Sequence, residues 1–208
     1  MNPLRYTLIS DGSSDRMLLP VLDWLLLEHS DELFDSQWAD LARLPRHPRG
    51  LRERVRVGLD LYPCDLLFVH RDAEDKHLSV RVDEIKAAVE EIESPPVVCV
   101  VPVRMVEAWF LFNAEALRLA AGNPAGREPL RLPASRRVEG LPDPKDLLFE
   151  LLRNASGLAG RRLRELNPRT MVYRVASSIE DFSPLRQLSA FQELEKRLVA
   201  VLKDQGWN

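Results

Sequence analysis

The sequence predicts an α/β fold, a mainly parallel sheet flanked by helices and followed by a helical C-terminal extension. Three observations carry that prediction. Short apolar, β-branched runs at 4–10, 66–70 and 97–103 alternate with stretches of helical periodicity, as in a βαβ chain. The run at 97–103 is nearly continuous valine, apolar on both faces, which suits a central parallel strand. Each run is followed by acids: Asp11 and Asp15 after the first, Asp72 and Glu74 after the second, Glu107 after the third.

Residues 4–10 are expected to form the first strand. Gly12-Ser13-Ser14 is turn chemistry with a ready N-cap, so a helix is expected over 15–29. Its residues are apolar almost all round, which predicts a largely buried helix. A second strand is placed at 37–44, with Trp38 and Leu44 as its heaviest apolar members. Residues 51–61 read as an amphipathic helix with Leu51, Val55 and Leu59 on one face, ended by Pro63. After the strand at 66–70, a charged helix over 82–93 packs through Val82, Ile85, Val89 and Ile92, and Pro95-Pro96 stops it. A helix over 106–121 then carries Glu107 in its first turn. The stretch 122–144 is rich in Gly, Pro and Arg and is the best boundary. It divides an α/β core over 1–122 from a connection and helical extension over 123–208, expected to pack on that core. Helices are expected there at 144–154, 170–178 and 184–205.

With 208 residues, 45% of them apolar, the chain suits one compact domain or a domain with an appendage. A net charge of −3 does not mark a general nucleic-acid binder. The arginines are uneven, however: six lie within 43–56 and ten within 127–174. Such a dipolar surface can hold a polyanion on one face. Cys64 and Cys99 make no disulfide framework. The opening residues lack the apolar core of a signal peptide, and no apolar stretch approaches the roughly 20 residues that span a bilayer. A cytoplasmic setting without a membrane partner is expected; oligomeric state is open.

Groups just past the carboxyl ends of parallel strands line the crevice where open α/β sheets bind ligands. Carboxylates gathered there from three strands repel one another unless a cation lies between them. Hard oxygen ligands suit Mg²⁺ or Mn²⁺. Alternation puts Asp72 and Glu74 on one side of an extended chain, the placement for two carboxylates to address one ion. Each acid also has a plainer reading, as a turn residue or as a first-turn acid favoured by the helix dipole. Other chemistries are excluded by absence of their motifs. There is no Gly-Lys-Ser/Thr phosphate loop and no Gly-x-Gly-x-x-Gly. The four histidines have no zinc spacing, and Ser10, Ser13 and Ser14 sit in no nucleophile elbow.

Taken together, Asp11-Gly12-Ser13-Ser14-Asp15 after the first strand and Asp72-Ala73-Glu74 after a later one resemble the Toprim domain of topoisomerases, primases and OLD-type nucleases, over residues 4–122. Arg71-Asp72-Ala73-Glu74 and Pro102-Val103-Arg104-Met105-Val106-Glu107-Ala108-Trp109 are similar to strings in small bacterial Toprim-like proteins, as is the late segment from Ser177 to Phe182. The resemblance implies a Toprim/Rossmann-like sheet and a Mg²⁺- (or Mn²⁺-) dependent nuclease, hydrolysing phosphodiesters of nucleic acid, DNA above all. It implies Asp11, Asp72, Glu74 and Glu107 as metal ligands, and Asp11, Asp15, Arg71, Arg104 and Lys145 as catalytic residues. Asp11 stands where Toprim domains carry a longer glutamate, and Glu74 where they carry a shorter aspartate. Those two departures lead to the expectation of weak activity alone and of a partner, which the resemblance identifies as an ATPase of phage defence. Two alternatives stand beside the nuclease: a non-catalytic Toprim-like subunit that binds a partner or nucleic acid, and a metal-dependent nucleotide phosphotransfer enzyme.

Overall fold

A computed structural model describes residues 3–208; Met1 and Asn2, part of the opening stretch read for a signal peptide, lie outside the described residues. Strands β1 (Leu4–Ile9), β2 (Phe34–Trp38), β3 (Leu66–His70) and β4 (Val97–Val100) form an all-parallel sheet in the order β2-β1-β3-β4. Leu4 pairs with Phe34, Tyr6 with Leu66, and Leu67 with Val97. Helices α1 (Leu19–His29), α2 (Gly50–Leu61) and α3 (Leu78–Val89) connect the strands in turn. After β4 come α4 (Ala114–Ala120), α5 (Pro144–Ala155), α6 (Gly160–Glu165), α7 (Val172–Ser177) and α8 (Ser189–Gln205).

The two-residue period of the strands sorts their side chains between two apolar layers. Tyr6, Leu8, Leu66, Phe68, Val98 and Val100 face the larger layer, which takes in α1 and the helices after β4. Ile9, Leu67, Val69 and Cys99 face the smaller one, closed by Val55 of α2 and by Val82 and Ile85 of α3. Residues beyond 122 supply the larger layer directly, through Leu148 and Leu152, Val175, Phe191 and Leu198. Among the described residues no helix is long and apolar enough to cross a membrane.

Several elements differ from expectation. The second strand is Phe34–Trp38, not 37–44, and Leu41–Arg43 is a single 3-10 turn. The pairing of Leu4 through Leu8 with Phe34 through Trp38 fixes that register, and the strand leaves the sheet once the Ala39 amide has donated to the Leu8 carbonyl at 3.0 Å. β4 is an edge strand rather than a central one. Its apolar faces report cover by helices on both sides, α8 among them, not two hydrogen-bonded neighbours. The chain after β1 enters a 3-10 segment, Ser13–Leu18, before α1. Pro20 fits only the first turn of a regular helix, because it lacks an N–H, so α1 begins at Leu19. The helix expected over 106–121 is likewise split. A 3-10 segment spans Val106–Phe110, and Asn113 then caps α4 by accepting from the Ala116 amide at 2.9 Å. α3 starts at Leu78, four residues early, because His77 supplies its cap. α1 is not buried all round: Leu27 is 74% exposed.

Candidate functional site

The strand order reverses across β1, so the carboxyl ends of β1 and β3 flank the topological switch point, where open α/β sheets bind ligands. Asp11 to Asp15 leave the first strand there, and Arg71 and Asp72 leave the third. The loops after β3 and β4 run alongside each other, extending the strand pairing. The Ala73 amide donates to the Pro102 carbonyl at 3.0 Å, and the Glu74 amide to the Arg104 carbonyl at 2.9 Å. Asp72 and Glu107 are thereby held beside one another.

Asp72 is the centre of what converges. Its Oδ1 accepts from the Val106 amide at 2.9 Å and lies 3.5 Å from His70 Nε2. His70 is buried at the end of β3, and its Nδ1 stands 3.0 Å from the Val100 carbonyl. A carbonyl only accepts, so Nδ1 carries the hydrogen and Nε2 is left facing the acids. Asp15 Oδ2 lies 3.8 Å from the same Nε2. Asp15 also accepts from the Gly12 amide at 2.9 Å, so its helix-start role and its place in the cluster coexist. Glu107 is 3% exposed and is paired with Lys145 Nζ at 3.1 Å. Burial, with repulsion from Asp15 and Glu107, pushes the Asp72 carboxyl up to about 6, against the opposing pull of His70 and the Val106 amide. The cluster is short of positive charge.

Two of the expected ligands do not join it. Glu74 has φ of 54°, which breaks the extended run that would have aligned it with Asp72. Its carboxylate instead takes Arg81 Nη2 at 2.6 Å. Asp11 is held by Arg54 of α2 and by Arg71, whose Nε is 3.2 Å away. Of the expected cationic residues, Lys145 reaches the cluster, Arg71 spans Asp11 and Glu84, and Arg104 turns at φ of 59° onto Asp75 at 3.2 Å. Left-handed non-glycine residues of this kind cost on the order of 1 kcal/mol each and gather at functional sites. Trp109, from the same string as Glu107, is core: it packs edge-on against Phe191 at 5.4 Å, and its buried indole N–H has no partner.

No family model, curated protein or solved structure matches this chain. Its chemistry is therefore read from the residues in place. Among the described residues no group of three or more His, Cys, Asp or Glu stands in ion-holding geometry. The set implied by the Toprim resemblance does not fit an ion, because the Asp11 and Glu74 oxygens are committed to arginines. Asp72 and Asp15 are oxygen donors of the kind a hard cation takes and have no Lys or Arg partner among the described residues, whereas Glu107 is held by Lys145.

His70 and the pair Arg81–Glu84 were not anticipated as parts of the site. His70 and Asp72 are two residues apart at a strand end, which places them on one side, and that alternation was the available signal. Arg81 left none. It is 5% exposed, it donates from Nε to the Asp72 carbonyl at 2.9 Å, and it holds Glu74 and Glu84 as well.

Proposed function

We propose that this chain is a Toprim-like, divalent-metal-dependent phosphodiesterase of nucleic acid, with Asp72 rather than Asp11 and Glu74 at its centre. One observation carries the reading: Asp72, at the switch point of a parallel sheet, is under-neutralised among Asp15 and Glu107. A cation held by Asp72, with Asp15 and Glu107 as the further acids, would polarise a phosphoryl oxygen and help ionise an attacking water. His70, fixed through Nδ1, turns Nε2 toward the acids, and the Val106 amide keeps Asp72 in place. Lys145 balances Glu107 and presents a half-exposed ammonium beside the cluster for a phosphate oxygen. Arg71, partly exposed between β1 and β3, serves the same purpose once a phosphate competes with Asp11.

A second reading, a non-catalytic Toprim-like subunit, is favoured by the arginines that occupy Asp11 and Glu74. The two separate on metal binding and on cleavage. Mn²⁺ should raise the melting temperature, since an ion bound only by the folded state stabilises it. That rise should vanish in Asp72→Asn and survive in Asp11→Asn and Glu74→Gln. Plasmid cleavage with Mn²⁺, by the chain alone or with an ATPase partner, should follow the same order. A rise in Asp72→Asn equal to that of the unaltered chain places the ion elsewhere. Metal binding without cleavage under any condition favours the non-catalytic subunit.

A further inference from the structure

We infer that residues 123–177 form a binding surface for the phosphate backbone of nucleic acid, built from ten arginines, nine of which have no acidic partner of their own among the described residues. The inference deepens the phosphodiesterase reading and rests on it for the choice of polyanion. The segment holds eleven Lys and Arg against six Asp and Glu, a net of +5 in a chain that carries −3 overall. Ten of the eleven cations are arginines, and every one of the ten is exposed. Only Arg161 is in an ion pair, with Glu165 at 2.6 Å; among the described residues the other nine have no carboxylate within 4.0 Å. In the strand-bearing half the arginines are instead largely tied up, as with Arg52, Arg54, Arg71 and Arg81. Exposed, unpaired arginines are the electrostatic footprint of phosphate recognition, because the guanidinium fork matches phosphate oxygens and releases condensed counterions on binding.

Placement ties this surface to the acid cluster. α5, which carries Lys145, and the 3-10 segment Ser135–Gly140, which carries Arg136 and Arg137, both pack on Val106–Phe110, the segment of Glu107. α7 packs on Ser13–Leu18, the segment of Asp15, where Arg16 lies over the Tyr173 ring at 4.4 Å. α6 has no buried residue, and its Arg162 and Arg164 are exposed. An acidic protein partner fits less well. Protein interfaces need an apolar, aromatic centre, and of the large exposed hydrophobic residues only Tyr173 falls in this segment.

The test is fluorescence anisotropy with labelled duplex DNA, single-stranded DNA and RNA of equal length, across a salt series. The full chain should bind at least one of them with a steep loss of affinity as salt rises. A variant carrying Arg136→Gln, Arg137→Gln, Arg162→Gln and Arg164→Gln should bind at least tenfold more weakly, with a salt slope lower by about 3. Its melting curve should be unchanged, since all four side chains are exposed. Equal binding by the fourfold variant would overturn the inference. So would the absence of binding to all three at low salt, or displacement by poly-glutamate as readily as by nucleic acid, which would point to an acidic protein. Arginine-dependent binding without cleavage by any metal-loaded form would uphold this surface and remove the phosphodiesterase reading.

Discussion

Asp72 and Glu84 are both partly covered carboxylates, yet their surroundings push them in opposite directions. Asp72 rises to about 6, first through desolvation. Its folded pKa lies above its unfolded value, so the folded state holds the proton more tightly. Ionisation therefore removes stability as pH climbs from about 4 through 6, and that loss persists above 6. Asp72→Asn keeps an oxygen to accept from the Val106 amide and carries no charge. In EDTA at pH 8 it should exceed the parent chain in stability by on the order of 2 kcal/mol. The gap should close below about pH 4. Urea melts across pH measure this, and equal midpoints at pH 8 would mean that the cluster is already neutralised. Glu84 falls to about 2 because Lys76 and Arg81 donate to it. Its contribution is present above the unfolded pKa and fades as pH drops toward 2. Glu84→Gln should cost roughly 1–2 kcal/mol at pH 7, allowing for partial exposure, and progressively less below about pH 4.5.

At the scale of the element, α2 approaches the sheet closely at Gly58. A Cβ on Gly58 would stand 2.5 Å from Ile9 Cδ1, and Ile9 has no exposed surface into which to retreat. Alanine favours a helix by about 1 kcal/mol over glycine. The clash should outweigh that gain, so Gly58→Ala is expected to lose roughly 1–2 kcal/mol in a denaturant melt. A more stable variant would show slack between α2 and β1. The same helix carries Arg54, so its displacement should loosen the hold on Asp11 as well.

Over the whole molecule, the segment after residue 122 closes the core that the sheet opens. Phe191 packs on both Trp109 and Trp24, and α8 lies against β4. A chain ending at residue 122 would uncover Trp24 and Trp109, which pack on Phe191, together with the face of β4 under α8. It should therefore show no cooperative unfolding transition and should bind a hydrophobic dye, whereas the full chain melts in one step. A sharp transition in the truncated chain would show that the core is divisible. The charge is also distributed at this scale. A net of −3 conceals +5 in residues 123–177 against −8 elsewhere, so overall charge understates what one face can attract.

The sequence alone determined the α/β class, the places of β1, β3 and β4, and the gathering of acids at the carboxyl rim. These follow from periodicity and from strand-end placement, which are local. Asp72, Asp15 and Glu107 were legible for that reason; Lys145 was named from the Toprim resemblance alone, and its contact with a residue 38 positions earlier was not legible. Tertiary structure decided the rest. It made β4 an edge strand, since a run of valines records cover on its faces and not neighbours at its sides. It shifted β2, because register comes from the partner strand. It turned Glu74 and Asp11 away from Asp72, because a left-handed residue and two arginines from other segments, Arg54 and Arg81, lie close enough to claim them. A carboxylate's partner is set by which charge the fold brings nearest, and the chain's local pattern does not encode that distance.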